Sequence, residues 1–190
     1  MREVAGESTV GGPASGLGAA GIVDGRVVDE PLFRRWYDAT LPHVYRYLFH
    51  RCGRDTELAQ ELTQQTFIAA IGSRRGPSKD DAMAWVIGIA RHRLADHFRG
   101  LERRERGFLR LLIRSSQPAV AWIGDLEPEG RLLAALRLLP AAQRAAITLR
   151  YIDDLPVREV AALLGKSEGA VESLLSRGRE TLRREAGDDR

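Results

Sequence analysis

Hydrophobic residues recur at intervals of three and four in the first half of the chain, which predicts amphipathic helices. The first helix covers residues 30–52 and the second covers residues 55–71. A third helix follows Ser78 and Asp81, which are spaced as a capping box. These helices carry most of the aromatic residues, so we expect them to pack together as a first domain.

The first domain covers residues 30–100, and the segments on either side lack a helical period. Residues 1–29 are rich in Gly, Ala, Ser and Val and contain no aromatic residue. They cannot bury enough surface to offset the entropy of ordering, so they are expected to be disordered. Residues 101–129 start with a basic part and continue with polar, proline-containing sequence, which indicates a flexible linker.

The helical period returns after the linker and predicts a second domain of four helices, residues 130–186. A tight turn separates its last two helices. Gly165 is expected to take the left-handed conformation that ends one helix, and Ser167 to cap the next. Two helices joined in this way form a helix-turn-helix, whose second helix enters the major groove of DNA. Because no strand pattern is evident, the predicted fold class is all-α, with two small helical domains joined by a flexible linker.

The second helix of this motif and the turn before it carry side chains that suit DNA. Serine, glutamate and arginine on the exposed side can hydrogen-bond to base edges, and the later arginines suit phosphates. The candidate DNA-binding residues are Lys166, Ser167, Glu172, Ser173, Ser176, Arg177, Arg179 and Arg183. An ordinary helical hairpin with a glycine loop is the alternative, because short helix-turn-helix matches also arise by chance.

Composition supports a nucleic-acid partner without requiring one. The net charge is +3 and the isoelectric point is about 9.4. Most of the basic residues are arginine, which makes planar contacts to phosphate and guanine that lysine cannot make. Cys52 is the single cysteine, which excludes an internal disulfide and fits a cytoplasmic protein. There is no apolar run of membrane-spanning length and no signal peptide, so no membrane insertion is expected.

Motifs of catalytic sites are missing from the sequence. Neither GxxxxGK[ST] nor HExxH occurs, so an enzyme, a cofactor and a small-molecule substrate are not expected. The four histidines lack the spacing and the carboxylate neighbours of a metal site, so no metal is assigned.

Three segments together resemble the bacterial sigma-70 family, in its compact extracytoplasmic-function (ECF) type. AQELTQQTFIAAI (59–71) is similar to family region 2.2, and AWVIGIARHRLADHFR (84–99) to regions 2.3 and 2.4. LPAAQRAAITLRYIDDLPVREVAALLGKSEGAV (139–171) is similar to region 4. The resemblance implies a factor that binds core RNA polymerase, directs it to promoters and helps to open the DNA.

The resemblance also implies partners and the residues that bind polymerase. Region 2.2 of the family docks on a coiled coil of the β′ subunit, region 4 contacts the β flap, and an anti-sigma factor is a further expected partner. The docking segment of this chain would comprise Glu61, Leu62, Gln64, Gln65, Phe67 and Ile68. Gln65 stands where the family commonly has glutamate, and its amide can still form hydrogen bonds.

The end of the third helix is implied to contact the minus-10 promoter element. Its candidate residues are Arg91, His92, Arg93 and Arg99, together with Ser73, Arg74 and Arg75 in the loop before the helix. Arginines would hold phosphates of a parted strand, and the loop would cover a flipped-out base. His92 replaces the usual asparagine, so the base preference need not match that of the family.

The helix-turn-helix is implied to read the minus-35 element with the candidate residues given above. The family often has a basic residue where this chain has Glu172, and arginine where it has Leu174. The preferred minus-35 sequence is therefore expected to depart from the commonest pattern. The closest alternative is a conventional helix-turn-helix regulator, which would bind operators without replacing a polymerase subunit. It predicts a dimerisation surface and a ligand or phosphoacceptor domain, and the first domain shows neither.

Overall fold

The computed structural model describes residues 20–23, 26–74, 76–77, 81–112 and 135–187 of the chain. Its main helices are α1 (Glu30–Arg51), α2 (Thr56–Ile71), α3 (Ala82–Leu112), α4 (Ala141–Ile147), α5 (Val157–Leu164) and α6 (Glu168–Gly187). A helical turn at residues 135–138 precedes α4, and α4 continues directly into a π-helical turn, Thr148–Ile152. The predicted all-α fold class is confirmed.

The first domain is built from α1, α2 and α3. Aspartates cap the first two helices: Asp29 accepts a hydrogen bond from the N–H of Leu32 at 2.9 Å, and Asp55 accepts one from Leu58 at 3.0 Å. The three helices pack on one another through buried apolar faces. The fully or nearly fully buried members of this core include Val44, Leu48, Ala59, Leu62, Phe67, Ala70, Val86, Ala90 and Leu94.

A small hairpin precedes α1 and corrects the expectation of disorder for its part of residues 1–29. Strands β1 (Ile22–Val23) and β2 (Arg26–Val27) pair antiparallel, and the side chain of Ile22 is only 1% exposed. Gly21 makes the entry with φ +63°, and its carbonyl accepts from the N–H of Val28 at 2.9 Å. One isoleucine can join an existing core without any periodic pattern around it. The expectations for residues 1–19, 24 and 25 fall outside the described residues.

Helix α3 is longer than the sequence predicts. It runs without interruption past Gly100 to Leu112, so residues 101–112 are helical and not an extended linker. Glu102 and Arg106 form an i, i+4 ion pair on this extension, and Glu102 also contacts the second domain. The predicted capping residue Ser78 and the remainder of the predicted linker, residues 113–129, lie outside the described part of the chain.

The second domain is described from residue 135 to residue 187, where α4 packs against α6 and α5 against α6. This domain also packs against α3, through α4 and α5. As a result, the buried apolar residues of the two domains form one continuous cluster. The arrangement places the turn between α5 and α6 beside the middle of α3.

Candidate nucleic-acid interface

The helix-turn-helix forms as the sequence predicts. Gly165 ends α5 with φ 63° and ψ 42°, a left-handed conformation that favours a residue without Cβ. Ser167 then caps α6, with its Oγ accepting from the N–H of Ala170 at 3.2 Å. Val160 and Val171 are fully buried where the two helices meet. These contacts fix the angle at which α6 leaves the turn.

The outward face of α6 is polar and uncovered. Its exposed side chains include Glu172, Ser173, Ser176, Arg177, Arg179 and Arg183, and Glu180 and Arg184 are exposed as well. Arg177 lies along the helix, with Nε donating to the Ser173 carbonyl at 3.2 Å, and Arg179 donates to the Tyr151 hydroxyl at 3.2 Å. Both arginines keep further guanidinium N–H donors beyond these bonds. The face therefore offers serine, glutamate and arginine groups at helical spacing, which are the groups that read base edges in a major groove.

Lys166 is placed differently from the rest of the candidate set. It lies in the turn and is half-buried, and its Nζ donates to Oε1 of Glu102 on α3 at 2.9 Å. Burial alone would raise the pKa of Glu102, but hydrogen bonds from Lys166 and Arg106 outweigh it and lower that pKa. Lys166 is thus engaged with a carboxylate of the first domain.

The candidate minus-10 residues on α3 are also largely engaged. Only His92 of the four is exposed, and the three arginines are half-buried. Arg91 lies 3.6 Å from Asp153 of the second domain, and Arg93 lies 3.6 Å from Asp96. Arg99 donates to Asp96 and to the backbone carbonyl of Leu163, at the end of α5. The guanidinium groups that the sequence assigns to phosphates therefore face protein oxygens in this structure.

The loop before α3 is described in part. Ser73 is half-buried, with its N–H bonded to the Ala70 carbonyl at 3.2 Å, and Arg74 is exposed. Arg75, the third candidate of this loop, lies outside the described residues.

The polymerase-binding candidates on α2 divide into two faces. Glu61, Gln64, Gln65 and Ile68 lie on the exposed face, and Ile68 is 62% exposed. Leu62 and Phe67 are 2% and 4% exposed, respectively. Their expected part in docking is corrected, because side chains packed in the core cannot contact a partner. Of these three apolar candidates, Ile68 alone is exposed.

Contacts between the domains centre on Asp153, which the sequence does not single out. Its carboxylate is buried and accepts from the hydroxyl of Tyr47 at 2.7 Å and from Nε of Arg51. These partners are more than 100 positions away in sequence. A contact between residues so far apart leaves no local pattern in the sequence, so the role of Asp153 cannot be predicted from it.

A cavity of about 500 Å³ lies where the two domains meet. Cys52, His97 and Phe98 line it from the first domain, and Arg137 and Arg144 from the second. Burial, followed by the charge of Arg144, lowers the pKa of His97. Burial, followed by nearby Asp55, raises the pKa of the Cys52 thiol to about 12. The described residues contain no cluster of metal-ligating side chains and no helix long and apolar enough to cross a membrane.

Family models match both domains. The model for Sigma-70 region 2 matches residues 36–104, and the model for Sigma-70, region 4 matches residues 129–182. The first match covers α2 and most of α3, and the second covers the helix-turn-helix.

Relatives match over most of the chain. It is 34% identical over 169 residues to the ECF RNA polymerase sigma factor BldN of Streptomyces coelicolor, covering 83% of this chain and 61% of BldN. It is 31% identical over 157 residues to the ECF RNA polymerase sigma factor SigC of Mycobacterium tuberculosis, covering 80% of this chain and 81% of SigC. The sigma factor RpoE, solved with the anti-sigma factor NepR from Bartonella quintana, is 25% identical with a TM-score of 0.48, covering 83% of this chain and 98% of that one.

Proposed function

The chain belongs to the extracytoplasmic-function (ECF) sigma factors of the sigma-70 family, and we propose that it binds core RNA polymerase and directs it to promoters. In this role it recognises minus-10 and minus-35 elements, helps to open the DNA and contributes no catalytic residue of its own. It acts in the cytoplasm, where polymerase is, and an anti-sigma factor restrains it.

The observation that carries this proposal is the uncovered face of α6. Ser173, Ser176 and Arg177 project from a helix whose opposite side is fixed by the buried Val171 and Leu175. A rigid support of this kind presents hydrogen-bonding groups to base edges in the major groove without a cost for ordering the backbone. The minus-35 element is the expected target of this face.

The first domain supplies the second half of the proposal. The exposed face of α2 combines Glu61, Gln64 and Gln65 with the apolar Ile68, and Gln65 donates to Glu61 at 2.9 Å. A helix surface that is polar with one exposed apolar side chain suits docking against another helix. We therefore assign core polymerase to α2, and the minus-10 element to α3 and its preceding loop.

In-vitro transcription tests the proposal directly. The full chain is added to core RNA polymerase on a library of genomic fragments, and the start sites are mapped. We expect discrete start sites that share two upstream elements, and we expect the Arg177→Ala variant to use them less efficiently. Binding to DNA without any effect on core polymerase would instead identify a conventional helix-turn-helix regulator.

A further inference from the structure

The cavity of about 500 Å³ described above has two kinds of lining. Its polar side carries the guanidinium groups of Arg137 and Arg144. Its apolar walls are formed by Leu58, Leu94, Phe98, Leu101, Leu136 and Ile152. Pockets for small molecules typically measure about 300–1,000 Å³ and combine apolar walls with a few polar groups. The cavity has both properties.

Arg144 is half-buried, and one of its donors has no acceptor. The buried Nε atom finds no hydrogen-bond partner among the described residues, whereas buried N–H groups in proteins nearly always have one. Burial lowers the pKa of Arg144, the charge of Glu105 opposes this shift, and the charge of Arg137 adds to it. Both carboxylate oxygens of Glu105 lie 3.0 Å from the N–H of Ala141. Glu105 therefore offsets part of the charge without supplying the missing hydrogen bond.

Positive charge is in excess around the cavity. Three arginines line it against a single acidic side chain, Asp55, which is the cap of α2. Arg51 is neutralised by its ion pair with the buried Asp153. Arg137 donates to a backbone carbonyl of the first domain, which is uncharged. When Arg137 and Arg144 are set against Asp55, one positive charge remains without a counter-charge in the lining.

The remaining polar group of this wall adds no charge. Burial, followed by the charge of Arg144, lowers the pKa of His97 below its ordinary value of about 6.5. The imidazole is therefore neutral at pH 7, and the excess charge of the cavity comes from arginine. The guanidinium of Arg144 also lies next to the apolar wall, with its central carbon 5.7 Å from the centre of the Phe98 ring. An anion at this place would meet a cation and an apolar surface together.

We propose that the cavity is a binding site for a small organic anion, a molecule with a compact apolar body and a single carboxylate or sulfonate group. The anionic group lies between Arg137 and Arg144, where it accepts charge-assisted hydrogen bonds. The apolar body packs against Phe98, Leu136 and the other apolar walls. None of the lining residues belongs to the sets assigned to DNA or to polymerase, so this inference does not rest on the proposed function.

Three single substitutions separate the cavity from the overall charge of the protein. Arg144→Gln and Arg137→Gln each remove one guanidinium group from the cavity. Arg158→Gln removes the same charge from an exposed position of α5 that does not line the cavity. Circular dichroism checks the fold of each variant. Arg137 is exposed, so Arg137→Gln carries the test if Arg144→Gln does not fold.

Fluorescence titration of the full chain with 1-anilinonaphthalene-8-sulfonate is the first measurement. This probe is an aryl body with one sulfonate, and N-phenyl-1-naphthylamine has the same rings without the charge. We expect both cavity variants to bind the sulfonate at least about tenfold more weakly than the wild type, as for the loss of a charge-assisted hydrogen bond. They should bind the uncharged probe as the wild type does. Octanoate should displace the sulfonate probe at a lower concentration than inorganic phosphate does, because only octanoate has an apolar body.

Cys52 locates the bound probe. It is the single cysteine of the chain and lines the cavity, so its alkylation by iodoacetamide reports on this site alone. Burial, followed by nearby Asp55, raises the pKa of the thiol to about 12, so the slow reaction is followed by mass spectrometry. We expect the sulfonate probe to slow the alkylation in the wild type, and the same concentration to protect Cys52 less in Arg144→Gln.

Four results would overturn the inference. Equal affinity of the wild type and both cavity variants for the sulfonate probe would show that the guanidinium groups bind no anion. An equal loss in Arg158→Gln would show a general attraction to positive charge. Unprotected Cys52 would place the probe elsewhere on the protein. Displacement by phosphate at the same concentration as octanoate would show that the apolar walls contribute nothing.

Discussion

A Cβ atom placed on Gly178 would lie 3.1 Å from Cγ1 of Ile147 and 3.6 Å from Cβ of Gln143. Gly178 is buried in the middle of α6, and the contact marks the point where α6 crosses α4. The close approach of these two helices holds the outward face of α6 in position. Glycine generally destabilises the interior of a helix through its conformational freedom. At position 178 it is needed because the close approach of α4 leaves no room for a larger side chain.

Substitutions at two glycines test this packing. Gly178→Val should lower the free energy of unfolding by about 1–3 kcal/mol, because Ile147 and Gln143 must move to admit the larger side chain. Gly88→Ala, at a position on α3 where a Cβ would meet nothing within 4 Å, should instead raise it by up to about 1 kcal/mol through helix propensity. Urea unfolding followed by circular dichroism measures both. A destabilising Gly88→Ala, or a neutral Gly178→Val, would contradict the packing argument.

The hairpin before α1 should contribute to stability. Ile22→Ala removes a side chain that is 1% exposed and is expected to lower the free energy of unfolding by about 2–4 kcal/mol. Its cross-strand partner Val27 is 37% exposed, so Val27→Ala should cost less than about 1 kcal/mol. Urea denaturation compares the two variants. If Ile22→Ala unfolds like the wild type, the hairpin does not belong to the core.

Polymerase binding should depend on the exposed face of α2. Changing Gln64 and Ile68 together to alanine should weaken binding to core polymerase about tenfold, because both side chains are accessible. The stability of the protein should stay within about 0.5 kcal/mol of the wild type, since neither side chain is buried. Asp38→Ala, an exposed change on α1, serves as the control. Unchanged affinity in the folded double variant would place the docking surface elsewhere.

Two arginines of α6 should differ in what they recognise. Arg177→Ala should cost about 1–3 kcal/mol at the cognate minus-35 element and relax discrimination at one base pair, as expected for a base contact. Arg183 lies further from the N-terminal part of the helix, so Arg183→Ala should weaken binding to every sequence alike and reduce the salt slope by about 1. Holoenzyme binding to cognate and scrambled duplexes across salt concentrations separates the two effects. Equal losses on both duplexes for Arg177→Ala would make it a phosphate contact.

Stability should fall as the pH is lowered through the range in which His97 titrates. Burial, then the positive charge of Arg144, lowers the pKa of His97 in the folded protein, Arg104 acts in the same direction, and Glu61 and Asp55 oppose the shift. The unfolded chain binds a proton at His97 near pH 6.5, and the folded protein binds it only at lower pH. The free energy of unfolding therefore declines as the pH falls through about 6.5 and levels off below the folded pKa.

Variants identify the residue responsible for this decline. His97→Gln should flatten the dependence of stability on pH between about 7.5 and 5.5. His43→Gln, at an exposed position on α1, provides the matched change. Urea unfolding at a series of pH values measures the slope. A slope that persists in His97→Gln would assign the titration to another group.

The sequence predicted the features that local chemistry determines. The turn at Gly165, the cap at Ser167 and the outward face of α6 follow from spacing and residue type within about 20 positions, and the structure agrees with each. The resemblance assigns Leu62 and Phe67 to docking together with their neighbours, and a resemblance over a whole segment does not say which of its side chains face the core. The packing of a neighbouring helix decides that.

Long-range contacts account for the other differences. Asp153 resembles many acidic residues that follow a helix, and only its position beside Tyr47 and Arg51 makes it the centre of the contacts between the two domains. The extension of α3 beyond Gly100 is similar in origin. Glu102 and Glu105 on this extension bond to Lys166 and Ala141, which lie far away in sequence. A prediction from the local sequence pattern therefore ends α3 at Gly100.

The length of α3 has a mechanical consequence for how far the two domains can move apart. The helix has 31 residues, which corresponds to about 46 Å, and Glu102 and Glu105 near its end contact the second domain. Without those two contacts, this part of the helix keeps local pairs such as Glu102 with Arg106, and short helical ends of this kind unwind readily. Each residue that leaves the helix lengthens the chain from about 1.5 Å to about 3.4 Å, so unwinding 12 residues would add about 20 Å of reach. Unwinding the end of α3 would therefore lengthen the connection between the two domains. Faster amide hydrogen exchange at residues 101–112 would report this unwinding.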